Sequence, residues 1–333
     1  MQKNVRHQQE RMGKMEYVLL ILGFVLLVKG ADLFVDGNSS VAKLLKIPTI
    51  VIGLTVVAFG TSMPEASVSI TAALKGQNAL AVSNVLGSNM FNLLVVLGVS
   101  ALMKPLQTTE SVIKKEFPFS IWITVLLLIL NSHLAFSKVI AGEGEFVLGR
   151  ISGIILLALF VWFIVSQVKN ALKARDSYHG EDYKVMKPLK SAIYIVIGLI
   201  GIVWGGNLVV SSATVIAENF GFSQTFIGLT IVAMGTSLPE LVTSAVAAKK
   251  GENDLAIGNV VGSNIFNILL ILGASATINP IVVDVNAIYD MAILIVVSVV
   301  GYFFAKSKLM ITKWEGAFFL IAYAAYFGYI YIR

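Results

Sequence analysis

The chain contains no cysteine and few charged residues, and both absences restrict what it can be. Without cysteine, its 333 residues form no disulfide, thiolate metal site or iron–sulfur cluster. Histidine occurs only at His7, His133 and His179, all in polar segments, which disfavours a buried imidazole relay or a His-ligated zinc site. Charged residues make up 13% of the chain, whereas soluble domains contain about 25%.

Apolar residues take the place of the missing charges. They make up 57% of the sequence, and the mean hydropathy is +0.84. This composition predicts an all-α polytopic membrane protein that is surrounded by the lipid bilayer. The net charge of +6 comes from loops and tails without interleaved aromatic residues, so we expect no nucleic-acid partner. Nothing indicates a cofactor or an obligate protein partner.

The apolar runs predict about ten transmembrane helices, because a span needs about 20 apolar residues. The predicted spans cover residues 17–36, 49–74, 79–103, 117–131, 149–168, 190–217, 224–248, 254–278, 286–305 and 314–332. They divide the chain into a polar N-terminal tail (1–16), a five-helix repeat (17–168), a linker (169–188) and a second five-helix repeat (189–333).

The two halves carry an internal repeat at a constant offset of 175 residues. Residues 53–102 align without a gap to residues 228–277, with about 30 identities in about 50 positions. An odd number of spans in each copy makes the second copy enter the membrane from the opposite side. We therefore predict inverted repeats whose interrupted helices face each other near the membrane midplane.

The distribution of Lys and Arg predicts the orientation in the cell (inner) membrane. Loops after odd-numbered spans carry most of these residues, which places the linker in the cytoplasm and both termini outside. Four basic residues of the N-terminal tail favour the opposite orientation; they are Lys3, Arg6, Arg11 and Lys14.

One polar motif, Gly-Thr-Ser-x-Pro-Glu, interrupts an apolar run at residues 60–65 and again at residues 235–240. A carboxylate at the bilayer centre costs about 2.5–3.5 kcal/mol on insertion scales, so it rarely lies there without a function. Pro64 has no N–H to donate to the carbonyl of Gly60, and we expect carbonyls near Ala58 and Thr61 to turn towards a cavity. The second copy offers the same groups from the facing side; they belong to Ala233, Thr236, Ser237 and Glu240.

All of these groups are oxygen donors, which suits Ca²⁺ better than Mg²⁺, because Mg²⁺ loses its water reluctantly. Hydroxyl and carbonyl oxygens of the same site can hold Na⁺. An empty site would leave two close carboxylates without a counter-charge in low dielectric. We therefore expect the empty protein to switch poorly between its inward-open and outward-open states and the loaded forms to switch well, as in an antiporter.

A second motif, Gly-Ser-Asn-x-Phe-Asn, follows at residues 87–92 and 262–267. Together the two motif pairs resemble the α-repeats of sodium/calcium exchangers of the cation/calcium exchanger superfamily, prokaryotic type. The resemblance covers both repeats and the ten-span layout. It implies alternating-access exchange of Na⁺ for Ca²⁺ at a midplane site, with both ions as substrates and no cofactor.

The resemblance also implies which residues bind the ions. For Ca²⁺ these are Glu65, Glu240 and the carbonyls of Thr61 and Thr236. For Na⁺ they are Ser62, Ser237, Ser88, Ser263 and the carbonyls of Ala58 and Ala233, while Asn92 and Asn267 line the central position. Several relatives carry Asp where this chain has Asn267, and an Asp there is associated with potassium use, which disfavours potassium dependence here.

Three other functions fit parts of the pattern. A calcium/proton exchanger would use the same carboxylates by protonation, although that branch typically shows Gly-Asn-x-x-Glu. A channel would need a continuous pore. An intramembrane hydrolase would need a base for Ser62, and the aligned motifs contain no His or Lys, so we do not expect an enzyme. Structural roles for the motif Ser and Asn residues in helix packing stay open.

Overall fold

A computed structural model describes residues 2–132, 146–176, 185–222, 231 and 233–332; its side chains are described from residue 15 onward, apart from residues 78, 79, 132, 176 and 233. The chain is mostly helical. The long helices are Gln2–Leu45, Phe117–Ser132, Arg150–Asp176, Pro188–Asn219, Val285–Ser307 and Lys313–Ile332. The repeated motifs lie on shorter segments, Thr49–Ile52, Ala58–Thr61, Met63–Leu74, Asn78–Phe91, Leu97–Met103, Ala233–Gly235, Leu238–Lys250, Asn253–Phe266 and Gly273–Ile278. Wide π-helical turns join several of them, at Gly53–Val57, Asn92–Val96 and Asn267–Leu272, and a fourth lies at Val112–Glu116.

Seven helices among the described residues are long and apolar enough to cross a membrane, or eight if the bent pair Thr49–Thr61 and Met63–Leu74 counts as one span. The predicted span 117–131 forms the helix Phe117–Ser132, whose 16 residues fall short of a full crossing. The predicted span 224–248 lies partly outside the described residues. A polytopic, mostly helical membrane protein is therefore confirmed, and ten spans stay a prediction.

The prediction of an all-α chain was wrong in one respect, because the structure contains two short antiparallel sheets. Strand β1 (Leu106–Gln107) pairs with β4 (Met310–Ile311), and β2 (Phe146–Leu148) pairs with β3 (Ile281–Val283). These strands lie in connections beside helix ends, where backbone N–H and C=O groups need partners outside the helix.

Helices also continue past the predicted ends of the spans. The first helix runs from Gln2 to Leu45, through the predicted tail and beyond residue 36. The helix Arg150–Asp176 extends into the predicted linker. Hydropathy marks where lipid contact ends, whereas the backbone ladder of a helix can continue into polar surroundings.

The first helix packs along Pro188–Asn219 through glycines of both predicted repeats. A Cβ atom at Gly30 would lie 2.7 Å from the backbone N of Ile202, and one at Gly205 would lie 2.6 Å from the backbone N of Leu27. Small residues allow such close backbone approach between membrane helices. Gly30 and Gly205 are 175 residues apart, so matched positions serve the same contact.

The polar residues of the motifs lie at the centre of the molecule, and apolar side chains face outward. Every residue from Leu255 to Phe266 is buried, including Asn259, Ser263 and Asn264. Large apolar side chains of the outer helices, such as Trp204 and Ile321, are exposed. Polar groups in the bundle interior and apolar groups on its surface are what a bilayer requires.

Candidate cation-binding site

Each Gly-Thr-Ser-x-Pro-Glu motif breaks its helix at the serine. The helix Ala58–Thr61 ends before Ser62 and the helix Met63–Leu74 begins after it, and the longer segment Thr49–Thr61 meets Met63–Leu74 at a bend of 52°. Ser62 has φ −83° and ψ 7°, and Ser237 has φ −92° and ψ 6°, so both leave helical geometry in the same way. We call Met63–Leu74 and Leu238–Lys250 the glutamate helices.

The break places each carboxylate at the beginning of a helix. Pro64 and Pro239 lie at the start of the glutamate helices, where a missing N–H costs little. Glu65 and Glu240 lie in the first turn, next to the positive end of the helix dipole. The sequence therefore produces a local environment that favours a negative charge in an otherwise apolar layer.

The two motifs exchange hydrogen bonds. Ser62 Oγ donates to Oε1 of Glu240 at 3.0 Å, and Ser237 Oγ donates to Oε1 of Glu65 at 3.0 Å. Glu65 is 1% exposed and Glu240 is 0% exposed. The other carboxylate oxygens, Oε2 of Glu65 and Oε2 of Glu240, have no hydrogen-bond partner among the described residues. The repeat thus brings two buried carboxylates together, each with an oxygen left over.

The second motif pair lies on Asn78–Phe91 and Asn253–Phe266, which we call the asparagine helices. Ser263 Oγ donates to Oε1 of Glu240 at 3.5 Å, which brings this helix to the carboxylates. Asn267 lies four residues further, on the same helix face. Ser88, the match of Ser263, is 1% exposed, and its Oγ has no partner among the described residues.

Two asparagines that the sequence analysis did not single out hold the glutamate helices. Asn84 Nδ2 donates to Ser69 Oγ at 2.9 Å, and its match Asn259 Nδ2 donates to Ser244 Oγ at 2.9 Å. The same groups lie 3.4 Å from the carbonyl of Glu65 and 3.5 Å from the carbonyl of Glu240. The signal was available, because both Asn–Ser pairs recur at the offset of 175 residues.

Most of the predicted site residues are buried together. Those with at most 3% exposure are Ala58, Thr61, Ser62, Glu65, Ser88, Asn92, Ser237, Glu240, Ser263 and Asn267. Thr236 is partly exposed, and its Oγ1 has no partner among the described residues. Ala233 begins the short helix Ala233–Gly235, and its side chain lies outside the described residues.

One predicted oxygen donor, the carbonyl of Ala58, is engaged within its own helix. The carbonyl of Ala58 accepts from Ser62 N at 3.0 Å, and Thr61 Oγ1 lies 3.4 Å from it. Thr61 Oγ1 also lies 2.9 Å from Oδ1 of Asn259. In this conformation the Ala58 carbonyl therefore points along its helix, contrary to our expectation that this carbonyl turns into a cavity.

The described residues contain no group of three or more His, Cys, Asp or Glu side chains that could hold a metal ion. A cation between Glu65 and Glu240 would rely on two carboxylates and on neutral hydroxyl, amide and carbonyl oxygens. Such a donor set suits hard cations such as Ca²⁺ or Na⁺ and offers nothing to thiophilic metals.

Taken together, the fold and the buried carboxylate pair define a polytopic membrane protein with a candidate cation site shared by two repeats. A family model described as sodium/calcium exchanger protein matches residues 15–169 and 190–332. The chain belongs to this family, which confirms the predicted resemblance. The family consists of exchangers and not of enzymes.

Relatives and solved structures agree with the family. The chain is 32% identical to the sodium/calcium exchanger MaX1 of Methanosarcina acetivorans over 93% of this chain and 97% of the relative. It is 38% identical to the inner membrane protein YrbG of Escherichia coli over 85% of this chain and 86% of the relative. A structure of the sodium-calcium exchanger NCX_Mj, soaked with Na⁺ and Sr²⁺, superposes on this chain with a TM-score of 0.78. The match covers 93% of this chain and 96% of that chain, and the two sequences are 32% identical.

Proposed function

We propose that this protein is a sodium/calcium antiporter that exchanges Na⁺ for Ca²⁺ by alternating access at a site built by Glu65 and Glu240. One observation carries the proposal: the serine of each motif bonds the glutamate of the other motif, both at 3.0 Å. Neither copy makes the site alone. The relatives named as sodium/calcium exchangers support the choice of ions.

The charge of the site explains why transport takes the form of exchange. Two carboxylates neutralise one Ca²⁺ or two Na⁺, whereas the empty site keeps two buried negative charges close together. Burial raises the free energy of that empty state. The loaded protein therefore switches between its inward-open and outward-open states more readily than the empty protein. As a result, the flux of one ion is coupled to the flux of the other.

The binding roles that we propose follow the two motif pairs. Ca²⁺ would be bound by Glu65, Glu240 and the carbonyls of Thr61 and Thr236. Na⁺ would be bound by Ser62, Ser237, Ser88, Ser263 and the carbonyls of Ala58 and Ala233, with Asn92 and Asn267 at the centre. The Ala58 carbonyl accepts one backbone hydrogen bond within its helix, from Ser62 N, which leaves its second lone pair for Na⁺.

Contacts at the helix ends support inverted repeats. Asn279 Nδ2 donates to the carbonyl of Ala73, at the end of the first glutamate helix, at 3.4 Å. Lys250 ends the second glutamate helix, two residues before Glu252. Glu252 and Asn279 flank the 26-residue helical stretch Asn253–Ile278, which is about 39 Å long. The matched glutamate helices therefore end at opposite ends of one helix, as inverted repeats require.

Contacts at the end of the first helix support the predicted orientation. Lys43, near the end of the first helix, lies 3.3 Å from Oε1 of Glu252. Met186 N, just before the helix Pro188–Asn219, donates to Ser40 Oγ at 3.1 Å. The end of the linker therefore lies on the same face as these lysine-bearing loops, which the positive-inside rule assigns to the cytoplasm. With five spans per repeat and the linker 169–188 in the cytoplasm, both termini are outside.

The test is Ca²⁺ uptake into proteoliposomes loaded with Na⁺. We expect uptake to require the outward Na⁺ gradient and to be lost in Glu65→Gln and in Glu240→Gln. The matched control is Glu110→Gln, because Glu110 is an exposed carboxylate outside the site; its hydrogen bond from Lys114 lowers its pKa. We expect this variant to transport like the unmodified protein.

A proton gradient distinguishes the proposed function from the alternative, calcium/proton exchange. Uptake that follows a pH gradient and ignores Na⁺ would identify a calcium/proton exchanger that uses the same carboxylates. Uptake that needs neither gradient, or that survives Glu65→Gln, would refute exchange at this site.

A further inference from the structure

Four asparagine side chains join the two asparagine helices at the centre of the protein. Asn92 Nδ2 donates to Oδ1 of Asn264 at 3.1 Å, and Asn267 Nδ2 donates to Oδ1 of Asn89 at 2.9 Å. Asn89 Nδ2 in turn donates to the carbonyl of Asn264 at 3.3 Å, and Asn264 Nδ2 donates to the carbonyl of Asn89 at 3.4 Å. All four side chains are at most 2% exposed.

The backbone carbonyls determine how every amide in this network is turned. A carbonyl can only accept a hydrogen bond, so the groups that face the carbonyls of Asn264 and Asn89 must be NH₂ groups. The oxygens of the Asn89 and Asn264 side chains then face the other two asparagines. Because an amide oxygen also only accepts, Asn92 and Asn267 must present their NH₂ groups to it.

This orientation leaves the amide oxygens of Asn92 and Asn267 on the far side of the network. Both Oδ1 atoms are buried without a hydrogen-bond partner among the described residues, as are Oε2 of Glu65 and Oε2 of Glu240. A buried acceptor without a partner costs free energy. A cation in the proposed site would offset that cost, whereas NH₂ groups in the same place would repel it.

We propose that Asn89 and Asn264 are positioning residues, which hold the amide oxygens of Asn267 and Asn92 towards the bound cation. The inference rests on the proposed function and adds to it the residues that set the polarity of the site centre. Asn89 and Asn264 need not touch the ion. They act by occupying the NH₂ groups of the residues that do.

The test compares the same substitution in three backgrounds by equilibrium binding of radioactive Ca²⁺ to the full, detergent-purified chain without Na⁺. We expect Asn264→Ala to lower the affinity about tenfold, since Asn92 is then free to turn its NH₂ group towards the ion. In an Asn92→Asp background the loss should shrink to less than about threefold, because a carboxylate presents oxygen in either orientation.

Asn267→Asp is the matched control background. It adds the same charge at the matched position but leaves Asn92 an amide, so Asn264→Ala should still lower the affinity about tenfold. Equal losses in all three backgrounds would show that Asn264 only supports packing, and they would overturn the inference. Absence of Ca²⁺ binding by the unmodified protein would instead refute the proposed function.

The reciprocal set guards against a variant that does not fold. Asn89→Ala should be rescued by Asn267→Asp and not by Asn92→Asp, because Asn89 accepts from Asn267. Thermal unfolding of each variant separates lost stability from lost affinity. Rescue of Asn89→Ala by Asn92→Asp and not by Asn267→Asp would also overturn the inference.

Discussion

The two halves of this protein correspond closely at its buried centre and differ at its ends. At the centre, Ser62 and Ser237 each bond the opposite glutamate at 3.0 Å. At one end, Lys250 forms ion pairs with Asp32 at 2.7 Å and with Asp36 at 2.6 Å. The positions matched to these three residues hold Lys75, Asn207 and Ser211, which cannot form ion pairs with one another.

The difference separates two tasks. A binding site shared by both copies needs matching groups from each, so the two motifs have little freedom to diverge. In an inverted-repeat exchanger, one state is open to each side of the membrane. The conformation of one half in the first state is taken up by the other half in the second state. Among the described residues, the ion pairs of Lys250 have no match at the other end, so in such an exchanger they would favour one of the two states, because a contact shifts a conformational equilibrium only by its difference between the states.

The largest effect should come from the carboxylates. We expect Glu65→Gln and Glu240→Gln each to weaken Ca²⁺ binding about a hundredfold or more, because each removes half of the charge that neutralises the ion. The double variant should be little worse than either single one, since one site is already lost. Equilibrium Ca²⁺ binding to the purified variants measures this. A single variant that binds half as much Ca²⁺ with unchanged affinity would indicate two independent sites and would contradict a shared one.

An intermediate effect should come from the glycines between the first helix and Pro188–Asn219. We expect Gly30→Ala and Gly205→Ala each to lower the free energy of unfolding by about 1–3 kcal/mol, because the new Cβ atom meets backbone. Gly87→Ala is the control, since a Cβ atom there has no atom within 4 Å beyond its chain neighbours and the backbone of its own helix. Thermal unfolding in detergent measures the change. A stability loss in Gly87→Ala as large as in Gly30→Ala would contradict the packing explanation.

The smallest effect should come from the ion pairs of Lys250 with Asp32 and Asp36. Lys250 and its partners are partly exposed, and such ion pairs contribute about 0.2–1 kcal/mol. We therefore expect Lys250→Gln to change the rate of Na⁺-driven Ca²⁺ uptake by at most about fivefold, less at high ionic strength. Lys75→Gln should leave the rate unchanged. Uptake by vesicles at low and high salt measures both, and equal responses of the two variants would remove the proposed difference between the ends.

Much of the fold could be predicted from hydropathy and the repeat. Apolar runs indicated a helical membrane protein, and the constant offset paired Glu65 with Glu240 before any contact was known. The ends of the helices could not be predicted in this way, because the first helix continues to Leu45, beyond the apolar run that ends near residue 36. The strand pairs were also missed, since β1 and β4 lie about 200 residues apart and meet only after the helices have packed.

Within the candidate site, the order of residues along the chain established which side chains correspond, and the packing of the helices decided which side chains touch. Ser62 and Glu65 form a Ser-x-x-Glu pattern, which along one helix predicts a capping box between the two. The structure shows no side-chain cap at Ser62 or at its match Ser237. Each serine bonds the glutamate of the other copy instead, because the broken helices bring residues about 175 positions apart closer than the local turn brings the nearer partner.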